Sequence, residues 1–98
     1  MNMDNLNEDF YKAYHAPGGL AGMVKALREF LDKLSEYKDN EHYKALLHFL
    51  DVADDSAKHG NTELPGMMYG MIWNAWDKLF EVIKGRPVDA TDFKWEKE

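Results

Sequence analysis

The segment from Pro65 to Lys84 limits the possible folds of this chain more than any other, because it has the length of one helix and is apolar around most of its circumference. At about 100° between successive residues, its apolar side chains cover roughly 200° of the helix surface. A helix in a small bundle needs an apolar stripe of only about 100–140°. We therefore expect this helix either to lie at the centre of a bundle or to contact a second molecule.

Proline and glycine residues divide the rest of the chain into three more segments of helical length. Pro17 to Gly19 ends the first segment, Gly60 ends the third and Gly85 ends the fourth. Within each segment, apolar residues recur three and four positions apart, which is the spacing of an amphipathic helix. The predicted helices cover approximately residues 4–15, 20–37, 40–59 and 65–84.

Residues at the helix ends support these limits. Asp39 or Asn40 suits the N-cap of the third helix, and Pro65 suits the first position of the fourth, where no N–H is needed. The conformation of residues 88–98 stays open at this point. Phe93 and Trp95 are large apolar side chains in that tail, and we expect them to dock on the bundle.

These observations predict a single all-α domain over residues 1–98. Its architecture is a compact four-helix bundle, with a short N-terminal helix, three longer helices and a C-terminal tail packed on them. The length of 98 residues is too short for two independent cores.

Charge and composition exclude several classes of function. Eighteen acidic against twelve basic residues give a net charge of −6, which disfavours binding to a nucleic-acid backbone or to an anionic membrane. The chain has no cysteine, hence no disulfide and no thiolate site. It has no apolar run long enough for a membrane span, and residues 1–9 lack the pattern of a secretory signal. We expect a cytoplasmic protein.

The fourth helix carries the best candidates for a binding surface. Tryptophan and tyrosine dominate the contacts that contribute most to protein binding, and methionine adapts to different partners. The sequence leaves open whether Trp73 and Phe80 are core residues or exposed anchors. The predicted binding residues are Met67, Met68, Tyr69, Trp73, Trp76 and Phe80.

The third helix carries a weak candidate for a metal site. Four potential ligands lie three and four residues apart along one stripe, which brings them to one side of the helix. That stripe lies opposite the apolar face, where no shielded pocket is expected. We therefore predict no metal and no cofactor for the candidates His48, Asp51, Asp55 and His59.

Two further features are unusual for a helix: an acidic residue within an apolar face and a pair of glycines. Asp54 lies within the apolar face of the third helix, so we expect it to be buried and paired with a tyrosine, a tryptophan N–H or a loop amide. Gly66 and Gly70 form a small-xxx-small pattern. Because Gly70 costs a helix about 0.5–1 kcal/mol relative to alanine, we expect it to allow close packing against Tyr11, Tyr14 or another subunit.

The function predicted from these features is a small non-enzymatic protein-interaction module acting through the fourth helix, most simply as a homodimer. An inhibitor, immunity or accessory role of bacterial or phage origin fits the size and composition. One alternative is a helical bundle that binds or senses a flat small molecule, oriented by Asn74, Asp54 or a tyrosine hydroxyl. Another is an acidic mimic of nucleic acid, which would use Asp51, Asp55, Glu8 and Asp9.

Overall fold

The computed structural model describes residues 5–88 of the chain, and within that range it contains four α-helices, one short 3₁₀ turn and no β-strand. The predicted all-α, bundle-like fold is confirmed. Helices that follow each other along the chain pack against each other, and none in this range is long and apolar enough to cross a membrane. The helices α1 to α4 are Leu6–Tyr14, Gly19–Asp32, Glu41–Lys58 and Gly66–Lys84. The predicted docking of Phe93 and Trp95 lies outside the described residues.

Helix α2 ends at Asp32 and not at Tyr37 as predicted. The amide of Leu34 donates a hydrogen bond to the carbonyl of Leu31, three residues earlier, at 2.9 Å. Bonds over three residues tighten a helix into 3₁₀ geometry, and a 3₁₀ turn follows at Ser35–Tyr37. Leu34 is buried at this point, so the tightened turn accompanies the burial of the last apolar residue of the α2 row.

The predicted caps are confirmed, except that Pro65 lies one position earlier relative to α4 than predicted. Asn40 is the N-cap of α3, and its side-chain oxygen accepts a hydrogen bond from the amide of His42 at 2.8 Å. Pro65 is the N-cap of α4 and not its first residue, because its ψ of 141° is extended. Gly60 and Gly85 follow α3 and α4 with φ of +89° and +72°, the left-handed conformation that ends many helices.

A cluster of aromatic rings from three helices forms the centre of the core. The ring of Phe10 in α1 lies parallel to that of Trp76 in α4, with 4.5 Å between their centroids. Trp73 packs edge-on against Phe10 at 4.8 Å, and Phe30 of α2 packs edge-on against Trp76 at 5.4 Å. Each such pair adds about 0.5–1.5 kcal/mol beyond the burial of its area. Helix α1 thus covers a side of α4 that α3 leaves open.

A buried hydrogen bond joins the same two helices. Asn7 is 2% exposed, and its Oδ1 accepts a hydrogen bond from the indole Nε1–H of Trp76 at 2.8 Å. An indole N–H inside a core needs such a partner, because it has lost its contact with water. The apolar arc of α4 is therefore wide because α1, α2 and α3 all pack on that helix, directly or through this cluster.

Gly22, inside α2, has a packing role that the sequence did not indicate. A Cβ atom at this position would lie 2.0 Å from the carbonyl oxygen of Pro17. The turn before α2 therefore passes so close to the helix that only glycine fits. At Gly70, by contrast, a Cβ would meet no described atom within 4 Å.

We expect Gly22→Ala to lower the free energy of unfolding by about 1–3 kcal/mol, since the added methyl group can be accommodated only by moving backbone. The matched variant Gly70→Ala should raise the free energy of unfolding by about 0.5–1 kcal/mol, because alanine is the better helix former and has open space. Urea unfolding followed by circular dichroism, at a concentration where the chain is monomeric, measures both. Two variants of equal stability would contradict the close contact at Pro17.

We expect Asn7→Ala to cost about 1–3 kcal/mol of unfolding free energy, because it leaves the Trp76 N–H buried without this acceptor. Asn61→Ala is the control, since Asn61 makes an exposed hydrogen bond to Ser56 and should cost at most about 1 kcal/mol. Urea unfolding followed by tryptophan fluorescence compares them. Equal losses for the two variants would show that the buried hydrogen bond does not stabilise the contact of α1 with α4.

Candidate functional site

Two of the six predicted binding residues are core residues. Trp76 and Phe80 are 0% exposed, with their rings packed edge-on at 5.9 Å. The inclusion of Trp76 in an exposed contact surface is therefore wrong, and Phe80 is a core residue, one of the two possibilities that the sequence left open. The physical reason is α1, whose Phe10 covers the side of α4 that the sequence pattern left without a partner.

Three more of the six are half-buried and join α4 to neighbouring segments. The ring of Trp73 lies 5.1 Å from that of Tyr14 in α1. The hydroxyl of Tyr69 accepts a hydrogen bond from the amide of Leu64 at 3.1 Å, which holds the loop before α4. Met68 packs against the core. These side chains have structural contacts and present only part of their surface to a partner.

Met67 is the remaining predicted residue, and it is 78% exposed. Three other large apolar side chains are also exposed: Val52 of α3 at 41%, and Met71 and Val82 of α4 at 38% and 48%. The three residues of α4 lie on one stripe, within about 60° of each other around the helix. Val52 follows Phe49, which lines a groove with Met71, by three residues, a spacing that puts the two side chains on neighbouring positions of the α3 surface. We call Phe49, Val52, Met67, Met71 and Val82 the α3–α4 face.

A groove follows the line along which α3 and α4 meet. The two helices run antiparallel, since His42 at the start of α3 lies near Val82 while Phe49 lies near Met71. One part of the groove encloses about 240 Å³ and the other about 520 Å³. The first is lined by His42, Ala45, Phe49, Met71, Asn74, Ala75 and Lys78, and the second by His42, Lys78, Glu81, Val82 and Gly85. Because they share two residues, we treat them as one groove with apolar walls and charges of both signs at its rim.

The two glycines at the start of α4 are exposed and lack the close neighbour that we predicted for them. A Cβ at Gly66 or Gly70 would have no described atom within 4 Å, so the expected packing against Tyr11 or Tyr14 is wrong. The physical reason is that α1 meets α4 through large aromatic side chains. Within the described part of the chain, nothing compensates for the low helix propensity of Gly70.

Asp54 is neither buried nor paired as we predicted. Its side chain is 26% exposed, and its carboxylate lies 3.1 Å from Nζ of Lys58 and 3.6 Å from Nη1 of Arg28. The hydrogen bond from Lys58 lowers the pKa of Asp54, partial desolvation opposes this effect, and the charges of Lys58 and Arg28 lower the pKa further. Arg28 also binds Asp51 at 2.8 Å. Lys58 lies one turn after Asp54 on the same helix and could have been found from the i,i+4 spacing, whereas Arg28 lies on another helix and could not.

The four metal candidates on α3 do not form a site. Asp51 is paired with Arg28. His59 contacts the backbone oxygen of Asp55 at 2.8 Å and its carboxylate at 3.8 Å, both within the last turns of the same helix. His48 is exposed and its ring lies 6.0 Å from that of Phe49. Among residues 5–88, no three His, Cys, Asp or Glu side chains are grouped to hold a metal ion.

We expect the Asp54 ion pairs to make the free energy of unfolding depend on pH in the acidic range. A lowered pKa in the folded state contributes stability that is fully present above the unfolded pKa, about 3.9, and is lost as the pH falls through the folded pKa. Asp54→Asn should therefore lose less unfolding free energy than the wild type on acidification below about pH 5. Urea midpoints at a series of pH values measure this. Asp55→Asn is the control, and a pH curve for Asp54→Asn parallel to the wild-type curve would contradict the assignment.

No family model, curated protein or solved structure matches this chain. A function for this protein therefore has to be inferred from its own residues. The surface features that bear on function are the α3–α4 face, the groove along it and the space beside Gly70, which no residue from 5 to 88 fills.

Proposed function

We propose that this protein is a non-enzymatic protein-interaction module whose contact surface is the α3–α4 face. The observation that carries this proposal is that the four large apolar side chains exposed among residues 5–88, namely Val52, Met67, Met71 and Val82, all lie on α3 or α4. Single exposed apolar residues are common on protein surfaces, whereas apolar residues grouped within a polar rim mark interaction sites.

The chemistry of the face suits a protein partner. Methionine has an unbranched, polarizable side chain that adapts to the surface it meets, and Met67 and Met71 lie one helical turn apart. The groove beside them has the aromatic ring of Phe49 on one wall. His42, Lys78 and Glu81 supply a rim with both signs of charge, as is usual around an apolar contact.

We propose a second copy of this chain as the partner. The exposed surface at Gly70 gives another helix room to approach the backbone of α4 closely, and such an approach would compensate for the cost of a glycine inside a helix. Two copies, each with a net charge of −6, repel each other at long range. Association must then come from apolar contact, and it should strengthen as added salt screens the repulsion.

The structure offers less support for the acidic-mimic alternative. Glu8 is paired with Lys12 at 3.0 Å, and Asp51 with Arg28 at 2.8 Å. Carboxylates with cationic neighbours present a weaker negative field than the phosphates they would imitate. An inhibitor, immunity or accessory role is compatible with the proposed module, and the partner would distinguish among these roles.

We expect the molar mass of the wild type to rise with concentration, and Met71→Glu to weaken this association by about tenfold or more, because a charge would be buried without a partner. Size exclusion with light scattering across a concentration series measures the mass. Ala21→Glu is the matched control, since it adds the same charge at an exposed position of α2. Gly70→Ala should also weaken association, although it stabilises the monomer.

The possible outcomes test the contact surface and self-association separately. Equal association of Met71→Glu and the wild type would remove the α3–α4 face as the contact surface. A wild type that stays monomeric at every concentration, with and without salt, would overturn self-association. A different partner would then be sought by affinity capture from lysate, with Met71→Glu as the negative control and Ala21→Glu as the positive control.

A further inference from the structure

A second groove lies on the other side of α4, between the end of α1, the start of α2 and the loop before α4. Its volume is about 630 Å³, within the range of small-molecule sites. It shares no lining residue with the groove of the α3–α4 face. Its walls and floor include Tyr14, His15, Met23, Leu64 and Tyr69. We call it the tyrosine groove.

The walls of the tyrosine groove suit a flat apolar molecule. The rings of Tyr14 and Tyr69 lie 5.9 Å apart at an angle of 76°. A planar ligand can therefore stack on one ring and meet the other with its edge, the two arrangements that aromatic groups prefer. Met23 and Leu64, which are 4% and 7% exposed, give the groove an apolar floor.

Both tyrosine hydroxyls already serve as hydrogen-bond acceptors. The hydroxyl of Tyr69 accepts from the amide of Leu64 at 3.1 Å. The hydroxyl of Tyr14 bonds with the side chain of Trp73, and an indole can only donate. A tyrosine hydroxyl holds one O–H donor besides its acceptor sites, and no acceptor for either O–H is found among the described residues. Two donors thus remain at one groove.

The Tyr14 donor keeps its proton near neutral pH. Burial raises the pKa of the Tyr14 hydroxyl above its ordinary value, and the nearby Tyr69 adds to the rise, while the hydrogen bond from Trp73 opposes it. At the edge of the groove, His15 and Glu63 are exposed, one a base and the other an acid. The recognition chemistry inside the groove is therefore set by the two O–H groups.

We propose that the tyrosine groove binds a planar aromatic molecule that bears an oxygen acceptor, either a carboxylate or a carbonyl. The aromatic part of the ligand stacks on the ring of one tyrosine and meets the ring of the other with its edge. The oxygen accepts hydrogen bonds from their hydroxyl groups. This site is independent of the α3–α4 face and of the proposed protein contact.

The test uses the full chain and three probes with one ring system: 2-naphthoate, 2-naphthamide and naphthalene. Isothermal titration calorimetry should show binding of the first two, and weaker or no binding of naphthalene. Tyr14→Phe and Tyr69→Phe should each weaken the oxygen-bearing probes by about 2–10-fold, the loss expected for one hydrogen bond. Tyr37→Phe, which changes a half-buried tyrosine away from the groove, should leave the affinity unchanged.

Changes in amide chemical shifts of the wild type locate the bound probe. This measurement does not depend on Tyr69→Phe, a variant that removes the hydrogen bond to Leu64 and can loosen the loop. Shifts at Met23, Leu64 and Tyr69 support the proposal, and shifts confined to the α3–α4 groove overturn it. Equal affinity for all three probes, no binding of the oxygen-bearing probes, or unchanged affinity in both tyrosine variants also overturns it. Met71→Glu should bind the probes like the wild type, so failure of the proposed protein contact would not be mistaken for failure of this site.

Discussion

The docking of α1 on α4 is the interaction on which the rest of the structure depends. Helix α1 has nine residues, too few for a helix that is stable alone in water, so its helical form rests on packing. That packing is provided by α2, against which α1 lies, and by two contacts with α4: the parallel rings of Phe10 and Trp76 and the hydrogen bond from Trp76 to Asn7. Without α1, the aromatic side of α4 would face solvent, and the indole N–H would lose its buried acceptor.

This docking also limits where the protein can bind anything. The aromatic residues that resembled an exposed binding surface are mostly occupied inside the monomer: Trp76 and Phe80 completely, Trp73 in part. The two surfaces proposed as binding sites lie on opposite sides of α4. The α3–α4 face is aliphatic and rich in methionine, which suits a protein contact, whereas the tyrosine groove offers ring faces and two O–H donors, which suits a small molecule. The two proposals therefore need not compete for residues.

The helices could be predicted to within a few residues because their signals are local. The spacing of apolar residues, the Asn40 cap and the glycines after α3 and α4 act within one or two turns of the chain. Most of the errors involve residues that are distant in sequence or on different helices, although Lys58, the nearest partner of Asp54, lies one turn away on the same helix. Asn7 and Trp76 are 69 positions apart, and the pairing of Asp54 with Arg28 joins α3 to α2. For Gly22, the contact is only five residues away, but it depends on how the turn at Pro17 folds back on α2.

The candidate site shows the same division. Met67 was a candidate from α4 alone, but the exposure of the glycines and the contribution of Val52 and Phe49 required the tertiary arrangement of the helices. The sequence alone predicts that the chain forms helices, approximately where they begin and end except at the C-terminal end of α2, and that one of them is apolar over an unusually wide arc. Only the tertiary structure decided which part of that arc is core. Periodicity shows that a side chain is apolar, whereas its burial depends on which distant helix packs against it.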